Sequence, residues 1–320
     1  MNPYINLWLN VIDGMQNDNT YKLAWGRALI ECCHNIDIPE SNEVIIHFDQ
    51  ISEYFLKYYW NQTYFFKLYQ GPARSKPVVQ RITEELIDYY ETSVQSNIPV
   101  WFDIAKSVFN QDKPFYLRKI HEISNALKKD VCWRFLIINN EEIPLYVLDK
   151  KRKTVVFKTD DFIVLKDYSF VLSQLLNYRW AQLLEKFNQS PRIALKVKGS
   201  TDEKIRRSNL GKFKVALLKQ FPDGNVTDFY TGDLLDPHDI SIDHVIPWSF
   251  MYSDDIWNLV ITSKSKNSSK SNNRISQVYI EKLKARNEIL EPLVSENYMN
   301  DLFIAREHDF VNKFYFQFKI

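Results

Sequence analysis

Glycine is scarce, seven in 320 residues, and none stands in G-x-G-x-x-G or G-x-x-x-x-G-K-[ST]; the single Gly-Lys pair, Gly211-Lys212, runs on into Phe213. Phosphate cradles that need glycine for close backbone approach are thereby excluded. Cysteine is scarcer still: Cys32, Cys33 and Cys132, with no C-x-x-C anywhere. An odd count with two adjacent thiols fits a reduced, cytoplasmic setting. No apolar run approaches the roughly 18 residues of a bilayer span, and no lysine or arginine precedes the apolar residues of Met1 to Gly14, so neither a membrane partner nor a secretory leader is expected. Net charge is also missing, +1 from 41 basic and 40 acidic residues. With 45% hydrophobic and 25% charged residues the composition is that of a folded globular chain, which excludes disorder as the dominant state. The length suggests about two domains, with surface enough to bury that no disulfide is needed.

What is present begins with helical periodicity. From Leu7 to about Leu127 apolar residues recur at helical spacing: Trp25, Ala28, Leu29 and Cys32 form one stripe behind Thr20 as N-cap, and Val78, Ile82, Leu86 and Tyr89 form another after Gly71, Pro72 and Pro77. Residues 1–140 therefore read as a helical domain, for target recognition or assembly. Its aromatic clusters, Tyr54-Phe55, Tyr58-Tyr59-Trp60 and Tyr64-Phe65-Phe66, fall on helical faces with few interleaved cations, which favours core packing over base stacking.

Residues 141–220 read as a β-hairpin, a helix and a basic connecting segment. Leu145 to Leu148, Thr154 to Phe157 and Phe162 to Leu165 look like short strands, the first two joined by Asp149-Lys150-Lys151-Arg152-Lys153, a run that is either solvated or a nucleic-acid contact. A helix carrying Leu172, Leu176, Trp180, Leu183 and Phe187 ends near Asn188. From Pro191 to Gln220, Lys196, Lys198, Lys204, Arg206, Arg207, Lys212, Lys214 and Lys219 face only Asp202 and Glu203, with a loop at Gly199-Ser200-Thr201. Near-neutrality overall hides this local charge, which is suited to a phosphate backbone; a solvated linker is the other reading.

The chemistry is concentrated in Ile240-Ser-Ile-Asp243-His244-Val-Ile-Pro-Trp-Ser249, then Trp257-Asn258-Leu-Val-Ile261, then Lys266-Asn267-Ser-Ser-Lys270-Ser-Asn272. A strand over Ile240–Ile246 stopped by Pro247, a loop through Asp254 and Asp255, a strand over Asn258–Thr262 and a helix entered near Asn267 make a ββα unit. It gathers a carboxylate, an imidazole and an amide oxygen, the parts needed to cleave a phosphodiester with a hard divalent ion. Asp243 and His244 are adjacent, so they share a site only where the strand twists, bulges or ends. His238, in Pro237-His238-Asp239, reads as a turn residue.

These three blocks resemble the HNH (ββα-metal) endonuclease family, over roughly Phe229 to Ser276. With the periodicities above, the chain reads as α+β, mainly helical: a helical N-terminal region, a small β-hairpin middle region, and, from the resemblance, an HNH nuclease domain with C-terminal helices over residues 221–320. The resemblance implies His244 as the base that activates water, with a carbonyl near Val245 orienting it. Asp243 and Asn267 would hold Mg²⁺, Mn²⁺ or another divalent cation. Asn258 would serve catalysis by bracing the loop that positions His244, while Arg206, Arg207, Lys212, Lys266 and Lys270 would contact nucleic acid. Many relatives carry paired cysteines for a structural zinc. None is available here, so no zinc is expected and Phe229, Tyr230 and Leu234 or Leu235 should fill its place. The implied partner is DNA, double-stranded, cut by a restriction enzyme or bacterial defence nuclease acting as a homodimer or within a defence complex. An RNA-cleaving HNH nuclease, or a nucleic-acid-binding regulatory subunit with an inert HNH fold, stays open beside it.

Overall fold

Asn2 accepts the Tyr4 N–H at 2.8 Å and Pro3 opens the first turn, so the chain enters helix at once. The computed structural model describes residues 2–72, 74–201, 208–269 and 275–319. The chain divides into two units, Met1–Asn188 with Ile193–Lys204 and Gln189–Arg192 with Ile205–Ile320. It is α+β and mainly helical, and no helix among the described residues is long and apolar enough to cross a membrane.

In the first unit the order is α1 (Pro3–Gly14), α2 (Tyr21–Asn35), β1 (Glu43–His47), α3 (Phe48–Trp60), α4 (Val78–Val94), α5 (Phe102–Phe109), α6 (Lys113–Lys129) and α7 (Val131–Arg134). There follow β2 (Ile137–Ile138), β3 (Glu141–Glu142), β4 (Val147–Asp149), β5 (Thr154–Lys158), α8 (Thr159–Asp167), α9 (Ser169–Phe187) and α10 (Ile193–Thr201). The β4–β5 hairpin does not stand apart in a middle region: β5 pairs antiparallel with β1 along Glu43↔Lys158 to His47↔Thr154, giving the sheet order β1-β5-β4. The aromatic clusters are core. Trp60 is fully buried, and its ring meets Tyr64, Tyr90 and Phe109 at centroid distances of 5.1, 5.7 and 5.4 Å.

Several expectations change here. Phe162 to Leu165 is helical, part of α8, because Thr159-Asp160-Asp161 places acids in a first helical turn where they favour the positive end of the dipole. Gly199-Ser200-Thr201 is the end of α10, not a loop, and Ser200 and Thr201 are buried. Lys196, on the same helix, is 0% exposed with its ammonium 5.9 Å from the Phe66 ring centroid, so it is removed from any phosphate surface. The buried stripe of α4 runs through Val79, Ile82 and Leu86, while Val78 is exposed. Thr20 makes no cap bond. Its hydroxyl instead joins a buried network, 2.7 Å from the Tyr59 hydroxyl and 2.9 Å from Gln70 Oε1.

The second unit contains α11 (Gly211–Leu218), β6 (Ile240–His244), α12 (Trp248–Met251), β7 (Leu259–Ser263), α13 (Lys264–Ser269), α14 (Gln277–Leu290), α15 (Glu296–Glu307) and α16 (Phe310–Lys319). Its core joins Val245, Ile246, Leu259 and Ile261 to Phe213 and Leu217 of α11, Ile280 and Leu283 of α14, and Tyr315 of α16.

Gln70, 0% exposed, donates to Gln62 Oε1 at 2.8 Å and accepts from Thr20 and from Trp180 Nε1 at 3.3 Å. Gln70→Leu keeps the volume but strands those partners. It should cost about 2 kcal/mol or more in a urea titration of the first unit's transition, since a buried group left without its hydrogen bond costs about 1–3 kcal/mol.

Candidate active site

β7 is an unbroken apolar run through Leu259, Val260 and Ile261, buried along its whole length. Its partner β6, paired from Ile240↔Ser263 to His244↔Leu259, is only half-buried until His244. Alternation puts Ser241 and Asp243 on one face of β6 and Ile240, Ile242 and His244 on the other, where the isoleucines pack on the core.

The strand ends at His244, two residues earlier than the sequence suggests. Pro247 has no N–H to extend a ladder, and the Asn258 side chain replaces the partner strand there. Its Oδ1 accepts the Ile246 N–H at 2.8 Å, its Nδ2 donates to the Ile246 carbonyl at 2.8 Å, and its own carbonyl accepts from Val245 at 2.9 Å. At 1% exposure the Asn258 amide is committed to backbone. The segment before it is held from α14: the buried Arg286 donates to the Ile256 and Trp257 carbonyls, and burial lowers its pKa to about 9.

His244 is buried, and its Nε2 lies 3.0 Å from Asp254 Oδ1. Burial alone would raise the Asp254 pKa. Hydrogen bonds from His244 and Ser208, with the charge of Lys212, outweigh it and hold the carboxyl below the usual range. On the other face, Asp243 Oδ2 accepts from the Tyr230 hydroxyl at 2.6 Å, and burial together with Asp243 raises the phenol's pKa so that it remains a donor. Asn267 belongs to α13, which begins already at Lys264, and its Nδ2 donates to Ser241 Oγ at 2.8 Å and the Ile242 carbonyl at 3.2 Å. That bond turns the amide toward the face of β6 that carries Asp243.

Asp243 and Asn267 thus come to one face of β6. His244 stands at the strand's end on the other, and Asn258 lies behind it in the core. Lys212 and Lys266 are exposed, the Lys212 ammonium 5.0 Å from the Phe213 centroid; Arg206, Arg207 and Lys270 lie outside the described residues. His238 is in a turn, its N–H donating to Asp236 Oδ1 at 2.7 Å. Phe229 and Tyr230 pack with Tyr279 at 6.3 and 5.0 Å, and Leu235 joins the core while Leu234 is 68% exposed. The cysteines are all buried in the first unit, where burial raises the Cys132 pKa to about 11. A carboxylate and an amide oxygen are hard donors, the kind a divalent cation that prefers oxygen takes, although among the described residues no group of three or more His, Cys, Asp or Glu is placed to hold a metal ion.

Residues 228–274 match the HNH endonuclease family. That segment is similar to the HNH endonucleases, a family that generally uses a divalent metal and acts on nucleic acid. Neither a curated protein nor a solved structure matches the chain.

Three residues of this site escape the sequence reading. Asp254 and Asp255 are neighbours in one loop, yet Asp254 meets His244 while Asp255 binds Arg192 at 3.0 Å; nothing in the sequence separates them. Tyr230 reads as packing and also holds Asp243. Asp228, 2% exposed, accepts from Tyr230 N at 2.8 Å, Thr231 N at 3.1 Å, Thr262 Oγ1 at 2.8 Å and Ser263 N at 2.9 Å. It ties the Tyr230 loop to β7, and Gly232 at φ +82 closes that loop, its N–H donating to the Asp228 carbonyl at 2.8 Å.

Burial would raise the Asp228 pKa, but these four donors lower it below the ordinary carboxylate value. A depressed folded pKa gives stability that is complete above the unfolded value, near about 4, and is lost as pH falls through the folded one. Asp228→Asn should remove that acid-side dependence and cost about 2–4 kcal/mol at neutral pH, because the amide's N–H₂ faces donors. Denaturant titrations of parent and variant from neutral to acid pH measure both effects.

Proposed function

We propose that the second unit hydrolyses phosphodiester bonds in double-stranded DNA, as a restriction enzyme or bacterial defence nuclease in the cytoplasm. The observation that carries this reading is the pairing, inside the HNH segment, of Asp243 and Asn267 on one face of β6 with His244 held at the strand's end by Asn258 and Asp254. A subunit that only binds nucleic acid has no need of Asp243, His244 and Asn267 together. One HNH unit offers one site, so cutting both strands calls for a homodimer or two successive events. Residues 1–140 would then serve target choice or assembly, and Arg206, Arg207, Lys212, Lys266 and Lys270 would neutralise backbone phosphates.

In the reaction His244 takes a proton from water as the water oxygen bonds to phosphorus. The bond from phosphorus to the 3′ oxygen breaks, and that oxygen leaves as a hydroxyl after protonation by solvent, the other end retaining a 5′-phosphate. Asp243 and Asn267 would hold Mg²⁺ or Mn²⁺, which when bound supplies charge neutralisation at the scissile phosphate. Asp254 accepts the Nε2–H of His244 and so fixes which ring nitrogen carries a lone pair. Asn258 positions His244 through the backbone and touches no substrate.

With purified protein and plasmid DNA, His244→Ala should lower cleavage by about 10²- to 10⁴-fold with the fold and DNA affinity retained. Asp243→Ala and Asn267→Ala should each raise the Mg²⁺ concentration needed for half-maximal rate, and chelation should stop the parent. Cleavage indifferent to EDTA, or confined to RNA in a matched pair of substrates, overturns the reading.

Asp254→Asn should lower kcat by about 10- to 100-fold, as loss of an orienting partner does, with KM nearly unchanged. The nitrogen chemical shifts of His244 should move in the same variant, and a kcat within twofold of the parent would remove Asp254 from the mechanism.

A further inference from the structure

The hairpin tip that joins β4 to β5 is a fixed platform. Asp149 pairs with Thr154 across the hairpin, and Asp149 Oδ1 accepts the Arg152 N–H at 2.9 Å. Lys153 adopts φ +55, a left-handed backbone uncommon for lysine, and its carbonyl accepts the Phe48 N–H at 2.9 Å where α3 begins. Four consecutive cations, Lys150 to Lys153, are therefore held on a rigid turn.

That turn meets more positive charge. The Lys153 ammonium is 3.3 Å from His121 Nε2 on α6, and burial, with Lys128 nearby, presses its pKa down although Asp49 opposes this. Lys150 Nζ and the Arg134 guanidinium lie 5.2 and 5.3 Å from the centroid of one ring, Trp133 of α7. The compensating acids are few: Asp130 lies 3.4 Å from Arg134, and Asp149 3.7 Å from Arg152, whose side chain is 83% exposed. Among the described residues Lys128, Lys129, Lys150 and Lys151 make no ion pair. Like charges gathered on fixed elements repel one another, and a polyanion relieves that repulsion.

We propose that this face of the first unit, built from the Lys150–Lys153 turn with Lys128, Lys129 and Arg134, binds the phosphodiester backbone of duplex DNA. The tip is held by its own hydrogen bonds and needs no ordering on binding. The contacts are to phosphates, so the face adds grip and not sequence preference. The choice of DNA rests on the substrate proposed for the HNH unit; the charge arrangement itself does not.

The test uses the full chain carrying His244→Ala, so that the DNA stays intact, and measures affinity for a labelled duplex over a series of salt concentrations. Lys150→Gln, Lys151→Gln and Arg152→Gln together should weaken binding about tenfold at moderate salt and reduce the slope of log affinity against log salt by about 2 to 3, each phosphate contact contributing about 0.9. Lys128→Gln with Lys129→Gln, on α6 and not part of the hairpin, should reduce the slope by about 1 to 2 and guards against a misfolded hairpin. An unchanged affinity and slope in both variants overturns the proposal, as does a loss confined to an RNA duplex of the same sequence. Absence of metal-dependent cleavage by the parent would instead defeat the nuclease reading and leave these slopes as they are.

Discussion

The second unit depends on a side chain acting as backbone. Where β6 must stop so that the chain can turn at Pro247, the Ile246 N–H and carbonyl would be buried without partners, and Asn258 supplies both from 2.8 Å. A buried peptide group left unpaired costs about 1–3 kcal/mol at each end, so the amide fixes where the strand ends as firmly as another strand would. His244 is two residues away on the same length of chain, and its position follows from that constraint. Adjacent strand residues face opposite ways, and a strand's end is one place where that alternation is relieved. Asn258 therefore sets the point at which Asp243 and His244 could turn to one site.

Each candidate group of the site is held by a second group. Asp228 anchors the loop that carries Tyr230, and Tyr230 holds Asp243; Asp254 holds His244; Ser241 and the Ile242 carbonyl orient Asn267. The buried β7 is common to these, since Asp228 bonds to Thr262 and Ser263 and β6 pairs along its length. A strand covered on both sides tolerates little change of volume, and this makes it a firm reference for groups that must be placed to a fraction of an ångström.

The motif was legible because its chemistry needs particular residue types in order: Asp243-His244, Asn258 and Asn267 stand out from neighbours that serve only packing. The supporting residues were not, because their roles come from contacts between loops. Asp254 and Asp255 differ only in which neighbour the loop brings to them, Arg192 or His244. In the first unit, β1 was absorbed into a helical reading because Ile45, 52% exposed, fills an outward position and turns an alternating strand into the apolar run Val44-Ile45-Ile46. The apolar residues of Phe162 to Leu165 alone suit a strand, and the acids before them mark a helix start. Lys196 shows the limit of reading charge from sequence: its segment is basic, but its helical phase points it inward.

Charge finally constrains how any nucleic acid can reach the site. From Phe221 to Ser263 the chain has eight aspartates and no lysine or arginine, so that stretch without a bound cation repels phosphate. Asp228 and Asp254 are not neutralised without cost, because the hydrogen bonds they accept hold both carboxyls below the usual range. Affinity for a polyanion would then have to come from cations outside that stretch, such as Lys212 ahead of it and Lys264 and Lys266 after it. A net charge of +1 conceals this separation. Within the second unit acid is concentrated on the stretch that carries Asp243 and base stands on either side of it, and a bound cation would reduce the repulsion that a polyanion meets there.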